Sequence, residues 1–108
     1  MIACVQVEES SARTVLHLVG EFDIGTRLML RSDCRRLARL GPDVHVDVDL
    51  SRVDFIDCAS LREVAALVDA RCEVGDAPSV LVATPFQQRL LDISGMVGAA
   101  HIEFRAPA

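Results

Sequence analysis

The segment that most constrains the fold of this chain runs from Val44 to Leu61 and reads V-H-V-D-V-D-L-S-R-V-D-F-I-D-C-A-S-L. It begins with a strict alternation of apolar and polar residues, which is typical of a β-strand with one buried face. A short polar turn is expected at residues 51–52, followed by the apolar pair Phe55-Ile56. Asp57 then precedes a predicted helix that begins with small residues. The strand therefore delivers a carboxylate to a helix N-terminus, where backbone N–H groups and the helix dipole favour anions.

The rest of the chain divides into alternating strands and helices. The predicted strands are Ile2–Val7, Thr14–Glu21, Val44–Leu50, Ser79–Ala83 and Ile102–Phe104, and the predicted helices are Arg27–Leu40, Ala59–Glu73 and a third from Thr84-Pro85 to Gly95. Helices between strands imply parallel crossovers, while the two opening strands are expected to pair antiparallel. We therefore expect residues 1–108 to form a single α/β domain, in which a mixed β-sheet packs with about three to four helices.

Apolar residues spaced three and four apart predict the inward face of each helix. The predicted inward residues are Leu30, Cys34, Leu37 and Ala38 in the first helix, Leu61, Val64, Ala65, Val68 and Cys72 in the second, and Phe86, Leu90 and Ile93 in the third. Thr26 is the expected N-cap of the first helix, since a threonine side chain can accept a hydrogen bond there.

Composition excludes several classes of function. The formal net charge is −5, which argues against nucleic-acid binding, and we expect the Arg35, Arg36 and Arg39 patch to be a solvated helix face. All eleven cationic residues other than histidine are arginines, so chemistry that needs a lysine is excluded. No apolar run approaches the roughly 20 residues of a membrane-spanning helix, and the N-terminus lacks a basic segment. We expect a cytoplasmic protein without a signal peptide or membrane insertion.

The reactive residue types form no recognisable catalytic or metal-binding motif. The four cysteines have no C-x-x-C spacing and are expected to be reduced thiols, not a zinc site or a disulfide framework. Among the carboxylates, Asp49 and Asp57 are expected to accept hydrogen bonds from turn and helix-end backbone groups. No serine or cysteine has an identifiable base partner. We expect no enzymatic activity, no catalytic residue, no cofactor and no metal.

Three segments resemble motifs of one known family. They are L-V-G-E-F-D-I-G-T (Leu18–Thr26), close to G-E-L-D-x-x-T; the segment ending D-L-S-R-V-D-F-I-D-C-A-S-L, close to D-L-S-x-V-x-F-I-D followed by S-[ST]-G-L; and V-L-V-A-T-P-F-Q-Q-R-L-L-D-I-S-G-M, close to a final strand and helix ending in L-x-x-x-G-L. Their order and spacing cover essentially the whole chain. The chain thus resembles the STAS domain, the fold of bacterial anti-sigma-factor antagonists.

The resemblance implies a non-enzymatic switch in transcription regulation. In typical members, a kinase that is also the anti-sigma factor phosphorylates a Ser or Thr two residues after the conserved Asp, and the unphosphorylated form captures the anti-sigma factor. Matched residue by residue, Asp57 is the Asp and Ala59 stands at the phosphoacceptor position, where it has no hydroxyl. The partner-binding residues implied by the resemblance are Asp23, Thr26, Asp57, Cys58, Ala59, Ser60 and Leu61. An alternative within the family is a STAS accessory subunit that binds the ATPase of an ABC transporter.

Two residues beside Ala59 have alternative interpretations. Ser60 is either a displaced phosphoacceptor or the N-cap of its helix, since Ser60-Leu61-Arg62-Glu63 has the form of a capping box. Cys58 is either a redox-sensitive thiol at a helix N-terminus or a simple packing residue in place of serine.

Overall fold

A five-stranded mixed sheet and three helices make up the computed structural model, which describes residues 2–11, 13–75, 77–96 and 101–108. The elements are β1 (Cys4–Glu9), β2 (Arg13–Phe22), α1 (Arg27–Ala38), β3 (His45–Ile56), α2 (Cys58–Gly75), β4 (Ser79–Val82), α3 (Pro85–Ser94) and β5 (Ile102–Arg105). The strand order is β1-β2-β3-β4-β5, with β1 antiparallel to β2 and the other neighbours parallel. The predicted α/β class, element order and antiparallel opening pair are confirmed.

The core lies on the helix-covered face of the sheet. Three successive crossovers step in the same direction across the strand order, and right-handed crossovers of this kind place their helices on one face. Alternate residues of β2, including Leu16, Leu18 and Phe22, are accordingly fully buried, as are Leu30 and Leu37 of α1. These side chains belong to one continuous apolar cluster that also takes in β3, α2, β4 and α3.

Strand β3 is longer than its sequence pattern predicted. The polar turn expected at residues 51–52 is wrong, because the strand continues without a break to Ile56. Pairing with β2 carries it through this segment, with Val19 opposite Arg52 and Phe22 opposite Ile56, after register shifts that accommodate the extra residues. Backbone pairing with a neighbouring strand that ends at the same level of the sheet therefore outweighs the local turn signal.

The inward face predicted for α3 is wrong at two of its three positions. Leu90 is partly buried against the core, as predicted, but Phe86 and Ile93 are exposed, and Gln87 and Leu91 are buried instead. A capping box sets this orientation: the Thr84 hydroxyl accepts a hydrogen bond from the Gln87 backbone N–H at 3.2 Å, and the Gln87 side-chain oxygen accepts one from the Thr84 N–H at 2.9 Å. The Gln87 side chain turns inward, so the residue before it faces out.

The inward faces predicted for α1 and α2 are largely confirmed, with Leu30, Cys34 and Leu37 buried in α1, while Ala38 and Cys72 are half-buried. Burial, followed by nearby carboxylates, raises the pKa of the Cys34 thiol to about 12.

A buried arginine on α2 was not predicted. The Arg71 guanidinium donates hydrogen bonds to four backbone carbonyls between the end of α1 and the start of β3, those of Ala38 (3.3 Å), Leu40 (2.6 Å), Gly41 (2.8 Å) and Val44 (2.7 Å). Carbonyl groups at a helix C-terminus have no partners within the helix. Arg71 supplies those partners and fixes the connection from α1 to β3.

Gly20, the first residue of the G-E-F-D motif, is required by the backbone. Its φ of +95° lies in a region that L side chains rarely adopt, and a Cβ there would stand 2.7 Å from the carbonyl oxygen of Ile2. The glycine thus lets the segment before β1 cross close to β2.

Candidate functional site

Two of the matched motifs meet at the carboxyl end of the sheet. Strands β2 and β3 are parallel neighbours whose last residues, Phe22 and Ile56, pair with each other. Asp23 and Asp57 each follow directly, and the Asp57 backbone N–H donates a hydrogen bond to the Phe22 carbonyl at 3.0 Å. The structure therefore brings the Asp23 and Asp57 segments side by side, as expected for strand ends at one edge of a parallel sheet.

The segment Asp23–Thr26, here called the Asp23 loop, is closed by its own hydrogen bonds. The Asp23 carboxylate accepts from the Gly25 N–H at 3.0 Å, and the Asp23 carbonyl accepts from the Thr26 N–H at 3.1 Å. Thr26 occupies the predicted N-cap position of α1, yet its hydroxyl makes no capping bond and instead contacts Asp23, accepting from its N–H at 3.1 Å. These bonds fix the loop and leave Ile24 exposed at its tip.

Asp57 is the residue that caps α2. Its carbonyl accepts from the Leu61 N–H at 2.9 Å, and its carboxylate Oδ1 accepts from the Ser60 N–H at 2.8 Å. The prediction that Ser60 caps this helix is therefore wrong, because the helix already begins at Cys58 and aspartate is a strong N-cap. The Glu63 side chain, expected in the capping box, pairs with Arg31 at 2.9 Å instead.

Ser60 lies inside the protein. The residue is 0% exposed, and its Oγ has no hydrogen-bond partner among the residues that the structure describes. A kinase needs an accessible hydroxyl, so phosphorylation of Ser60 would require the first turn of α2 to open. Phosphorylation of Ser60 stays a prediction, and it depends on this opening of the helix.

The remaining matched residues divide between surface and core. Cys58 is exposed as a free thiol at the first position of α2, and Ala59 beside it is half-buried. Leu61 belongs to the core and is 3% exposed, so its side chain supports the turn from within. The outer surface of this turn is therefore formed by Cys58 and, in part, by Ala59. The proposed redox role of Cys58 stays a prediction.

Asp49, a carboxylate elsewhere on the sheet, forms hydrogen bonds with a backbone N–H and with a neighbouring side chain. As predicted, Asp49 accepts from a backbone group, the Ser51 N–H, at 2.8 Å. Partial burial alone would raise the pKa of Asp49, but its hydrogen bonds with Ser51 and with His17, at 3.0 Å, outweigh burial and hold that pKa below 3.8. Within the described ranges, no group of three or more His, Cys, Asp or Glu side chains is arranged to hold a metal ion.

Exposed apolar side chains near this edge were missed by the sequence prediction. Phe55 on β3 is 54% exposed and Phe86 on α3 is 70% exposed, and Ile24 and Leu28 lie exposed on and after the Asp23 loop. Phe86 was predicted to face inward. The T-P-F-Q sequence contained the missing signal, because a capping box fixes Gln87 at the third helical position and turns Phe86 outward.

No helix in the described part of the chain is long and apolar enough to cross a membrane.

Comparisons with known proteins agree with this architecture. The family model of the STAS domain matches residues 5–97, whereas no curated protein matches the chain. Among solved structures, an anti-sigma factor antagonist from Mycobacterium paratuberculosis is 23% identical with a TM-score of 0.69, covering 88% of this chain and 80% of its own. The antagonist SpoIIAA in unphosphorylated form is 19% identical with a TM-score of 0.60, covering 83% of each chain. The Bacillus cell fate determinant SpoIIAA in phosphorylated form is 16% identical with a TM-score of 0.66, and the match covers 94% of this chain and 91% of that one.

Proposed function

Since the chain belongs to the STAS domain family, we propose that it is an anti-sigma factor antagonist, a non-enzymatic protein that binds an anti-sigma factor of the serine-kinase type and so regulates sigma-factor-dependent transcription. Similarity to three structures of such antagonists supports this proposal. The observation that carries it is the junction of the Asp23 loop with the first turn of α2, joined by the hydrogen bond from Asp57 to Phe22.

The proposed interface consists of the Asp23 loop and the surface of the turn that follows Asp57. One Asp57 oxygen caps α2, and the other makes no hydrogen bond within the described residues, so it can accept one from a partner. Cys58 and Ala59 are small, which allows a partner's backbone to approach the helix end closely. Ser60 and Leu61 hold this surface in place from below, since both are buried.

Ala59 gives the proposed switch an unusual form. A phosphate adds a charge of about −1.5 to −2, which disrupts an interface that already contains carboxylates. Ala59 has no hydroxyl and cannot receive that phosphate. We infer that the protein stays in the binding-competent state, with control exerted through its concentration or through the Cys58 thiol.

The first experiment is an affinity pull-down from the native cytosol, with and without ATP, analysed by mass spectrometry. Recovery of a small histidine-kinase-like ATPase supports the proposal. Recovery of the ATPase of an ABC transporter, or of no ATPase at all, contradicts it.

The interface itself is tested with a substitution that mimics the phosphate charge. Ala59→Glu is expected to abolish binding of the recovered ATPase in a calorimetric titration. Ala66→Glu is the matched control, because Ala66 is exposed on the same helix two turns further on, away from the proposed surface. Equal affinity of the Ala59→Glu variant and the unaltered protein contradicts the proposed interface.

A further inference from the structure

Strand β3 extends beyond the end of its neighbour β4. The two strands pair at Val48 opposite Leu81 and at Asp49 opposite Val82, and β4 ends at Val82. Within residues 51–56, four residues pair with β2 on one side (Arg52, Val53, Phe55 and Ile56), and no residue pairs with a described strand on the other. An unpaired strand edge presents N–H and C=O groups that can pair with an extended segment of another chain.

A groove lies beside this unpaired edge. It has a volume of about 350 Å³ and is lined by Val53, Asp54, Phe55, Ile56, Thr84, Phe86, Gln87 and Leu90. The chain has four phenylalanines and neither tryptophan nor tyrosine, so half of its large aromatic rings line this one groove, both of them more than half exposed. Exposed aromatic side chains grouped in this way are typical of docking sites.

The negative charge beside the groove indicates that its occupant carries a positive charge. Of the lining residues, one is charged, and it is the exposed carboxylate of Asp54. Asp57 follows at the end of the same strand. An occupant that combines apolar side chains with an arginine or a lysine complements both the rings and these carboxylates.

We propose that the groove binds an extended, basic and apolar peptide segment that adds to residues 51–56 of β3 as a further strand. One apolar side chain of the segment lies between Phe55 and Phe86, and a neighbouring basic side chain pairs with Asp54. This inference rests on the proposed function, since the segment is taken to belong to the same partner that binds at Asp57, one residue beyond this edge.

The strand-addition geometry is tested with synthetic peptides and the isotope-labelled protein. A capped hexapeptide alternating arginine and valine is expected to bind and to slow hydrogen exchange of those backbone amides in residues 51–56 that point away from β2. Successive N–H groups of an extended strand point to opposite sides. Two methylated peptides are therefore compared, one with methyl groups on the odd-numbered backbone nitrogens and one with them on the even-numbered nitrogens. The peptide whose methyl groups face β3 is expected to bind at least about tenfold more weakly, and the other is expected to bind like the unmethylated peptide.

Three results overturn the inference at this stage. They are the absence of binding, equal affinity of both methylated peptides and the unmethylated one, and undiminished binding of a hexapeptide with glutamate in place of arginine.

The groove is tested in the partner complex with a matched pair of variants. Phe86→Ala is expected to weaken partner binding at least about tenfold. Ile93→Ala is the control, because Ile93 is 73% exposed on the same helix and does not line the groove. Equal losses in the two variants overturn the inference. So does a dimer in sedimentation equilibrium that forms from the unaltered protein and not from the Phe86→Ala variant, since a second copy of the chain then occupies the groove.

Failure of this inference is distinguishable from failure of the proposed function. A partner kinase that binds the Phe86→Ala variant as tightly as the unaltered protein overturns the groove and leaves the proposed function standing. If no anti-sigma kinase binds the unaltered protein while the hexapeptide still does, the proposed function fails and the peptide groove is supported.

Discussion

Replacing Ser60 with alanine is expected to stabilise the protein, because the hydroxyl that it removes is fully buried and has no hydrogen-bond partner among the described residues. Burying an unpartnered hydroxyl costs about 1–3 kcal/mol. Alanine also has a higher helix propensity than serine, by about 0.5 kcal/mol. Against these gains, the void left by one oxygen, about 15 Å³, costs about 0.4 kcal/mol. The expected net gain in the free energy of unfolding is about 1–3 kcal/mol.

Such a gain is measurable by chemical and thermal unfolding. Because the chain has neither tryptophan nor tyrosine, far-ultraviolet circular dichroism is the suitable signal for urea titrations. For a domain of this size, each 1 kcal/mol raises Tm by roughly 4–8 °C. Ser32→Ala is the control, since Ser32 is exposed on α1 and its replacement changes helix propensity alone. A Ser60→Ala variant no more stable than Ser32→Ala refutes the reasoning from the buried hydroxyl.

Three further predictions concern stability. The pKa of Cys34 is about 12 in the folded protein, against an ordinary 9.0, so the free energy of unfolding is expected to fall above pH 9 by up to about 1.4 kcal/mol per pH unit. Urea titrations at several pH values measure this slope, and a Cys34→Ala variant that keeps the same slope contradicts the prediction. The lowered pKa of Asp49 has the opposite effect on the pH dependence of stability. The ionised Asp49 stabilises the folded protein above about pH 4, and this contribution is lost as the pH falls through the folded-state pKa. Asp49→Asn is therefore expected to make the free energy of unfolding depend less on pH in the acid range. Gly20→Ala is expected to lower the free energy of unfolding, measured in urea, by about 1–3 kcal/mol. Gly41→Ala is the control and is not expected to cause such a loss, because a Cβ at Gly41 meets no atom within 4 Å. Equal losses in the two variants contradict the role of the positive φ.

Features set by local patterns were predictable from the sequence. The alternation of apolar and polar residues identified the first part of β3, and the spacing of Leu30, Cys34 and Leu37 identified the inward face of α1. The family resemblance implied that Asp23 and Asp57 belong to one partner-binding set, and the structure gives the physical reason for their proximity: they follow adjacent parallel strands, whose ends lie at the same edge of the sheet. The strand and helix-face inferences need only side-chain periodicity.

Features decided by competition between signals were not predictable in the same way. Asp57 and Ser60 are both good N-cap residues, and the helix starts at the earlier one, which places Ser60 in the interior. The orientation of α3 depends on whether the capping interaction of Gln87 or the apolar spacing of Phe86 and Ile93 prevails. The groove between β3 and α3 depends on β4 ending early, a property of the sheet as a whole that no local pattern contains.

The hydrogen bonds that hold the Asp57 turn have a consequence for how such a protein can evolve. The Asp57 backbone and carboxylate anchor the turn to Phe22 and to the Ser60 N–H, and neither bond involves the side chain at position 59. Under the proposed function, position 59 decides whether a kinase can act, and it is structurally independent of the turn that presents it. A single substitution, Ala59→Ser, would then add a phosphorylation site and its reversal would remove one, since no bond that holds the turn would change. Phosphorylatable and constitutive versions of the proposed antagonist would lie a single mutational step apart.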